Sequence, residues 1–255
     1  MPTARTNGSL YTKIEHKVAT VEFGHPASNS FVSELLERLA NELQKLSENN
    51  EVAVIVLKSE GDRAFCAGAS FDELVAISDL NEGKSFFSGF AHVINAMRVC
   101  SKPIIGRVQG KAVGGGVGLA AACDYVYATE AASIKLSEIA IGIAPLVIAP
   151  AVERKIGKSG LAELSLNPTE WKNAYWAKEK GLYAKVFDSI DEMDKELEFY
   201  VSKLAEYNPE ALAEMKRVLW EGTDHWGQLL LDRAEASGRL ALSPNTKTAL
   251  EKFKK

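Results

Sequence analysis

Two apolar runs constrain the fold of this chain more than any other feature. VAVIVL at 52–57 and PIIGRV at 103–108 have the length and β-branched content of strands that are buried on both faces. One helical stripe precedes the first run, at 32–46, and another follows it, at 87–97. In both, apolar residues recur about every 3.6 positions. This strand–helix order predicts an α/β fold, with parallel strands joined by right-handed crossovers.

The remaining segments complete this prediction. Residues 10–14 and 17–23 alternate as an antiparallel pair, and 124–129 predicts a third buried strand. From about residue 157 the pattern is almost wholly helical, and Pro209 and Pro244 each stand where a helix begins. We therefore expect a core with the functional site over residues 1–195 and a helical C-terminal region over 196–255.

Composition excludes several classes of protein. The chain has 255 residues, of which 46% are hydrophobic and 25% charged, as in ordinary globular proteins. Its 30 basic and 34 acidic residues give a net charge of −4, which argues against a nucleic-acid partner. The distant Cys66, Cys100 and Cys123 predict no disulfide framework, so we expect a cytoplasmic protein. No targeting segment is apparent, and no apolar run reaches the roughly 20 residues of a membrane span.

Two loops rich in glycine and alanine follow the buried strands. KSEGDRAFCAGAS follows the first strand and QGKAVGGGVGLAAACD follows the second. Ligands of parallel sheets bind beyond the carboxyl ends of the strands, and small residues let the backbone approach them closely. Two converging backbone N–H groups would form an oxyanion hole, in which one donor contributes about 10²–10³ in rate.

The glycine cluster has two other interpretations. The glycines could serve tight packing only. Alternatively, Gly116-x-Gly118-x-x-Ala121 matches the dinucleotide fingerprint, with Glu138 the expected distance of about 20 residues further on. However, QGKAVG separates these glycines from their strand, which is unlike that motif. A nicotinamide oxidoreductase therefore stays open as an alternative.

Glu138 is the carboxylate with the strongest signal for chemistry. It stands in KLSEIAIGIAP, directly before the most apolar stretch of the chain. Desolvation by such neighbours raises a carboxyl pKa toward neutrality, which suits proton transfer. The alternative is a glutamate at a strand end that faces water. No group of histidines and cysteines has zinc spacing, so no metal site is predicted.

Three motifs in this order and spacing resemble the enoyl-CoA hydratase/isomerase (crotonase) superfamily: FCAGAS at 65–70, GKAVGGGVGLAAACD at 110–124 and KLSEIAIGI at 135–143. The likeness runs over nearly the whole chain. It implies a spiral of ββα turns with a C-terminal helical trimerisation region, and homotrimers or hexamers. It also implies an acyl-CoA thioester substrate, of which coenzyme A is a part. No metal or redox cofactor is implied.

The resemblance also implies roles for individual residues. The backbone N–H groups of Ala69 and Gly115 fall on the oxyanion donors, and Glu138 falls on the second catalytic glutamate of the hydratases. Arg63, Ala64 and Ala67 fall on positions that contact the adenosine and pantetheine parts of the substrate.

The sequence departs from the hydratase pattern at three places. The first catalytic glutamate falls on Gly118, Ser70 replaces an aspartate in the first loop, and Leu146, Val147 and Ile148 stand where the family often has a glycine-rich turn. The first departure predicts a small void beside Gly118 that admits part of the substrate. The third predicts an apolar pocket shaped for a particular acyl chain.

These departures leave the reaction open. Water addition is easiest with two carboxylates, whereas one glutamate can move a proton between two carbons of a stabilised enolate. An enoyl-CoA isomerase is therefore somewhat easier to explain than a hydratase, which overall resemblance alone would favour. Decarboxylation, thioester hydrolysis and a non-catalytic acyl-CoA binder remain as alternatives.

Overall fold

A six-stranded sheet forms the centre of the protein, whose computed structural model describes residues 7–252. Its strands lie in the order β1-β2-β3-β4-β6-β8, and all neighbours are parallel except the antiparallel pair β1–β2. The bounds are β1 Ser9–Glu15, β2 Val18–Gly24, β3 Val54–Ser59, β4 Ile104–Val108, β6 Tyr125–Thr129 and β8 Lys185–Phe187. A two-stranded parallel sheet joins β5 Ala112–Val113 and β7 Ile134–Lys135.

Helices follow most of these strands. Their bounds are α1 Ser33–Glu48, α2 Phe71–Ala76, α3 Leu80–Val99, α4 Gly115–Ala122, α5 Ala149–Leu166, α6 Ala174–Glu179, α7 Ile190–Leu204, α8 Pro209–Leu219, α9 Trp226–Ala241 and α10 Pro244–Glu251. A short 3₁₀ helix spans Glu138–Ile141. The predicted strand–helix order and the helix starts at Pro209 and Pro244 are confirmed.

The inner strands β3 and β4 are buried on both faces, as their apolar runs predicted. Alternate residues of β3 face different cores: Ile55 and Leu57 join the cluster formed with α1, α3 and α4, whereas Val54 and Val56 face α7. Because both faces of these strands are covered, the residues that point to either face are buried, and the usual alternation of polar and apolar residues is absent. This explains why the strand sequences are continuously apolar.

The chain winds as a spiral in which successive turns extend both the large sheet and the smaller one. After β3 the chain pairs Cys66 with Ala112 of β5, and after β6 it pairs Ile134 of β7 with both Ala112 and Lys172. Strands from successive turns therefore stack in the same order in the large and the small sheet. The α/β class and the ββα spiral predicted from the sequence are confirmed, and β8 corrects the expectation of an almost wholly helical region after residue 157.

The C-terminal helices pack against the core of their own chain. Trp220, Trp226 and Leu230 belong to the main hydrophobic cluster. Asp124, at the start of β6, accepts hydrogen bonds from Trp220 Nε1 at 2.7 Å and pairs with the buried Lys216 at 3.0 Å. The boundary expected at 195/196 falls within α7. Trimerisation through this region remains a prediction.

Two surveys of the described residues bear on ligands and membranes. Within residues 7–252 no helix is both long and apolar enough to cross a bilayer. The same part of the chain holds no group of three or more histidine, cysteine, aspartate or glutamate side chains arranged to bind a metal ion.

Candidate active site

A cavity of about 190 Å³ lies where the two glycine-rich loops meet. One side consists of backbone from Ala67–Ala69 and Val113–Gly115, which we call the backbone wall. The other consists of Phe86, Phe87 and Phe90 of α3 with the segment 143–148, which we call the apolar wall. Glu138 lies between these elements, and Ser237 of α9 also lines the cavity.

Strand-like pairing fixes the first loop of the backbone wall. Phe31 bridges Ala69: the Phe31 N–H donates to the Gly68 carbonyl at 2.8 Å, and the Ser70 N–H donates to the Phe31 carbonyl at 2.7 Å. In a parallel bridge of this kind, the groups of the central residue point to the opposite side. The Ala69 N–H therefore points away from Phe31, and no protein acceptor for it is found in the described chain.

The second loop lies against the first. The Val113 N–H donates to the Cys66 carbonyl at 2.9 Å, and a Cβ on Gly68 would lie 3.5 Å from the Gly115 nitrogen. Gly115 is the first residue of α4, where backbone N–H groups have no partner within the helix. Its N–H also finds no acceptor among residues 7–252, so two unpaired donors lie close together.

Glu138 begins the 3₁₀ helix and turns its carboxylate toward the same loops. A Cβ on Gly114 would lie 2.8 Å from Glu138 Oε1, and Gly114 has φ of +53°, so a side chain is disfavoured there on both counts. Glu138 Oε2 is buried and makes no hydrogen bond. Burial raises the pKa of Glu138 to about 7, which confirms the expectation of a desolvated carboxyl.

Gly118 is not beside a void. A Cβ on Gly118 would lie 2.4 Å from Ile148 Cγ2, and Ile148 itself lines the cavity whereas Gly118 does not. The expected space for part of the substrate is therefore wrong, because the Ile148 side chain fills it. In the described part of the cavity lining, Glu138 is the sole ionisable side chain.

The packing of α4 also argues against the dinucleotide alternative. Gly116 and Gly118 are buried, and a Cβ on Gly116 would lie 2.5 Å from the Cys66 carbonyl oxygen. These glycines thus let α4 approach the first loop and Ile148. Neither of them faces a surface that a pyrophosphate could reach.

The other predicted site residues divide into two groups. Ala67, Ala69, Gly115 and Glu138 all line the cavity. Arg63 is exposed and Ala64 is half-buried, and neither lines it. Their contacts with a substrate remain predictions.

The rest of the cavity lining contains residues that the sequence analysis predicted and residues that it missed. Leu146, Val147 and Ile148 line the cavity, as expected for an apolar pocket, and Phe90 packs directly behind Gly115. Ser237 was not anticipated. Its only sequence signal is the stripe of small residues Ala234, Ser237, Gly238 and Ala241 on α9, which indicates a close helix approach without showing what is approached.

Comparison with known proteins assigns this chain to one family. A family model described as enoyl-CoA hydratase/isomerase matches residues 13–234. The chain is 30% identical over 215 residues to the 2,3-dehydroadipyl-CoA hydratase of Escherichia coli, covering 82% of this chain and 81% of that protein. It is also 30% identical over 189 residues to the peroxisomal Δ(3,5)-Δ(2,4)-dienoyl-CoA isomerase of Arabidopsis thaliana, covering 69% of this chain and 67% of that protein.

Solved structures agree on the fold. The crystal structure of enoyl-CoA hydratase from Bacillus halodurans superposes with a TM-score of 0.87 at 21% identity, covering 95% of this chain and 99% of that one. The chain is an enzyme of the crotonase fold. It belongs to the enoyl-CoA hydratase/isomerase family.

Proposed function

We propose that this protein is an enoyl-CoA isomerase that shifts a carbon–carbon double bond with Glu138 as its single acid/base. The observation that carries the proposal is Ile148 in the space beside Gly118, where the hydratase pattern would place a second carboxylate. Two carboxylates can hold and activate a water, whereas one carboxylate next to a stabilised enolate suffices to relocate a proton.

The two unpaired N–H groups provide the charge stabilisation. The thioester oxygen of the substrate accepts hydrogen bonds from Ala69 and Gly115, and these strengthen as negative charge develops on that oxygen. Gly115 lies at the N-terminus of α4, whose dipole also favours the anion. No metal or redox group is needed for this step, since these donors and Glu138 supply the stabilisation and the base.

The reaction then balances within the substrate and Glu138. The Glu138 carboxylate removes a proton from the α-carbon of a 3-enoyl-CoA, and the electron pair of that C–H bond delocalises onto the thioester oxygen as a dienolate. The protonated Glu138 returns the proton to the γ-carbon, which places the double bond next to the thioester. A glutamate with a pKa of about 7 can both take and return a proton near neutral pH.

The cavity limits the acyl chain. Its volume is about 190 Å³, and the three phenylalanines of α3 and the segment 143–148 close its apolar side. The substrate we propose is accordingly a short-chain enoyl-CoA, with the coenzyme A portion outside this cavity. Arg63, Ala64 and Ala67 remain our candidates for contacts with that portion, and a trimer or hexamer in the cytoplasm remains our expectation.

Product masses test the proposal. The purified protein is incubated separately with a 2-enoyl-CoA and a 3-enoyl-CoA, and the products are followed by mass and by the absorbance of the conjugated thioester. We expect conversion of the 3-enoyl ester at unchanged mass. A gain of one water from the 2-enoyl ester as the faster reaction would instead make it a hydratase, like the relatives that carry this name. Binding of both esters without turnover would favour the non-catalytic binder.

A further inference from the structure

Ser237 is a buried polar side chain that the proposed chemistry does not use. It lies on α9, is 1% exposed and belongs to the cavity lining, and its buried hydroxyl has no hydrogen-bond partner. Leaving a buried hydroxyl unpaired costs free energy. Ala234 and Ala241, one turn before and after it on the same buried face, carry no such group. The oxygen of Ser237 therefore forms no hydrogen bond that would stabilise this packing.

Another buried serine, Ser88, shows why the unpaired hydroxyl of Ser237 is unusual. Ser88 of α3 donates its hydroxyl to the Lys84 carbonyl one turn earlier, at 2.7 Å, which is the common way for a helical serine to be satisfied. Ser237 could in principle use the corresponding carbonyl of Arg233 but makes no such bond. Its hydroxyl thus stays unpaired on a residue of the cavity lining, and a rotation of the side chain is enough to turn it toward a ligand.

The packing of α9 holds Ser237 in place. A Cβ on Gly83 would lie 2.9 Å from the Gly238 Cα, so α3 and α9 touch backbone to backbone at the residue next to Ser237. One turn earlier, Arg233 donates to the Leu146 carbonyl at 3.2 Å and ties α9 to the apolar wall. A group fixed on a rigid helix can select a ligand more sharply than one on a loop.

The charges of the cavity define the ligand group that suits this hydroxyl. Among the described residues that line the cavity there is no lysine, arginine or histidine, and Glu138 is acidic. An ionised carboxylate on the acyl chain would therefore be buried without a counter-charge, which is unfavourable. A neutral hydroxyl or keto oxygen would instead pair with the Ser237 hydroxyl, which can both donate and accept.

We propose that Ser237 is a specificity-determining residue that hydrogen-bonds a neutral oxygen, a hydroxyl or a keto group, on the acyl chain of the substrate. This inference rests on the proposed function, since it assumes that the acyl chain occupies this cavity. It divides the labour of the site: the backbone wall and Glu138 act on the thioester end, and α9 reads the acyl group.

The test compares matched esters on wild type, Ser237→Ala and Ser88→Ala. The probes are 3-hexenoyl-CoA, the same ester with a hydroxyl or keto group beyond the double bond, and the corresponding ester that ends in a carboxylate. We expect wild type to prefer at least one neutral oxygenated ester about tenfold in kcat/KM, as for one well-formed hydrogen bond. Ser237→Ala should lose this preference and still accept 3-hexenoyl-CoA, and Ser88→Ala should keep it.

Denaturant unfolding separates recognition from a structural role. Ser237→Ala should unfold at the same denaturant concentration as wild type or higher, because it removes an unpaired buried hydroxyl, whereas Ser88→Ala should unfold at a lower one. A clearly lower midpoint for Ser237→Ala would overturn the inference, as would an equal loss of activity on plain and oxygenated esters.

The remaining outcomes distinguish this inference from the proposed function. Turnover of 3-hexenoyl-CoA with no preference for any oxygenated ester would leave the isomerase standing and overturn the role of Ser237. If no ester is turned over, binding of the saturated esters decides. A preference for the oxygenated form that Ser237→Ala abolishes would support the role of Ser237 in a protein that is not an isomerase, and equal binding would overturn it.

Discussion

The backbone wall presents peptide N–H groups fixed by strand pairing, whereas the apolar wall presents side chains fixed by packing on α3 and α9. In the first, Ala69 and Gly115 contribute nothing beyond their backbones, so their residue type matters mainly through the space it leaves. In the second, Leu146 and Ile148 present their side chains, and Ser237 of α9 lies beside this wall in the same cavity. In the function we propose, the backbone wall stabilises the reacting thioester and few substitutions can alter it, whereas the side chains around the acyl group set the selectivity and many substitutions can alter them.

The largest effect is expected where the two walls meet. Glu138→Gln keeps the shape of the side chain but removes the acid/base, so turnover should fall by about 10³–10⁴-fold, at the upper part of the range for general acid–base catalysis. Binding of a CoA ester should stay within a few-fold of wild type. Glu198→Gln, on the exposed side of α7, is the matched control and should retain full turnover. Residual activity above one tenth of wild type in Glu138→Gln would refute its role.

Burial of Glu138 should also make stability depend on pH. Its pKa is about 7 in the folded protein and near 4.5 when exposed, so the folded state binds the proton more tightly. The free energy of unfolding should therefore fall as pH rises from 4.5 to 7, by up to about 3 kcal/mol from this group. Denaturant titrations of wild type and Glu138→Gln at several pH values isolate it, since the variant should lack this component.

The same group predicts the pH dependence of turnover. Because Glu138 must be ionised to remove the first proton, kcat/KM should rise with pH and level off above about pH 7. A profile that falls through this range would show that the protonated form starts the reaction.

Substitutions at Gly118 and Ile148 test whether the Ile148 side chain fills the space beside Gly118. Gly118→Ala should destabilise the protein by about 1–3 kcal/mol, because its Cβ would meet Ile148 at 2.4 Å. Ile148→Ala should be destabilising alone, by the loss of a buried side chain, but should cost less in the Gly118→Ala background. A double-mutant cycle from denaturant unfolding measures this coupling, and additive effects would contradict the packing described here.

The smallest effect is expected within the apolar wall. Leu146→Phe fills part of the cavity and should lower kcat/KM for the longer of two acyl chains by about tenfold relative to the shorter. Leu166→Phe, at a leucine that is 77% exposed on α5, is the control and should leave the ratio unchanged. An unchanged ratio in Leu146→Phe would remove this residue from the acyl pocket.

The same division explains what could be predicted from the sequence. Ala69, Gly115 and Glu138 line one cavity. The two loops were expected at one edge because ligands bind beyond the strand ends of parallel sheets, whereas Ala69 and Gly115 were selected by the family resemblance, and Glu138 by its apolar neighbours and the same resemblance. Ile148 beside Gly118 and Ser237 beside the cavity depend on which helix faces meet, and periodicity describes a face without naming its neighbour. β8 was missed because three residues are too few to show a period.

The packing of Ile148 on Gly118 limits which changes this enzyme can accept one substitution at a time. A second carboxylate at position 118 would require a glutamate there and a smaller residue at 148, and either change made alone is destabilising, through a steric clash or an empty space. No single substitution therefore introduces the second carboxylate without a loss of stability. Single substitutions can therefore change the acyl selectivity of this enzyme, through α9 and the segment 143–148, more readily than they can add a second catalytic carboxylate.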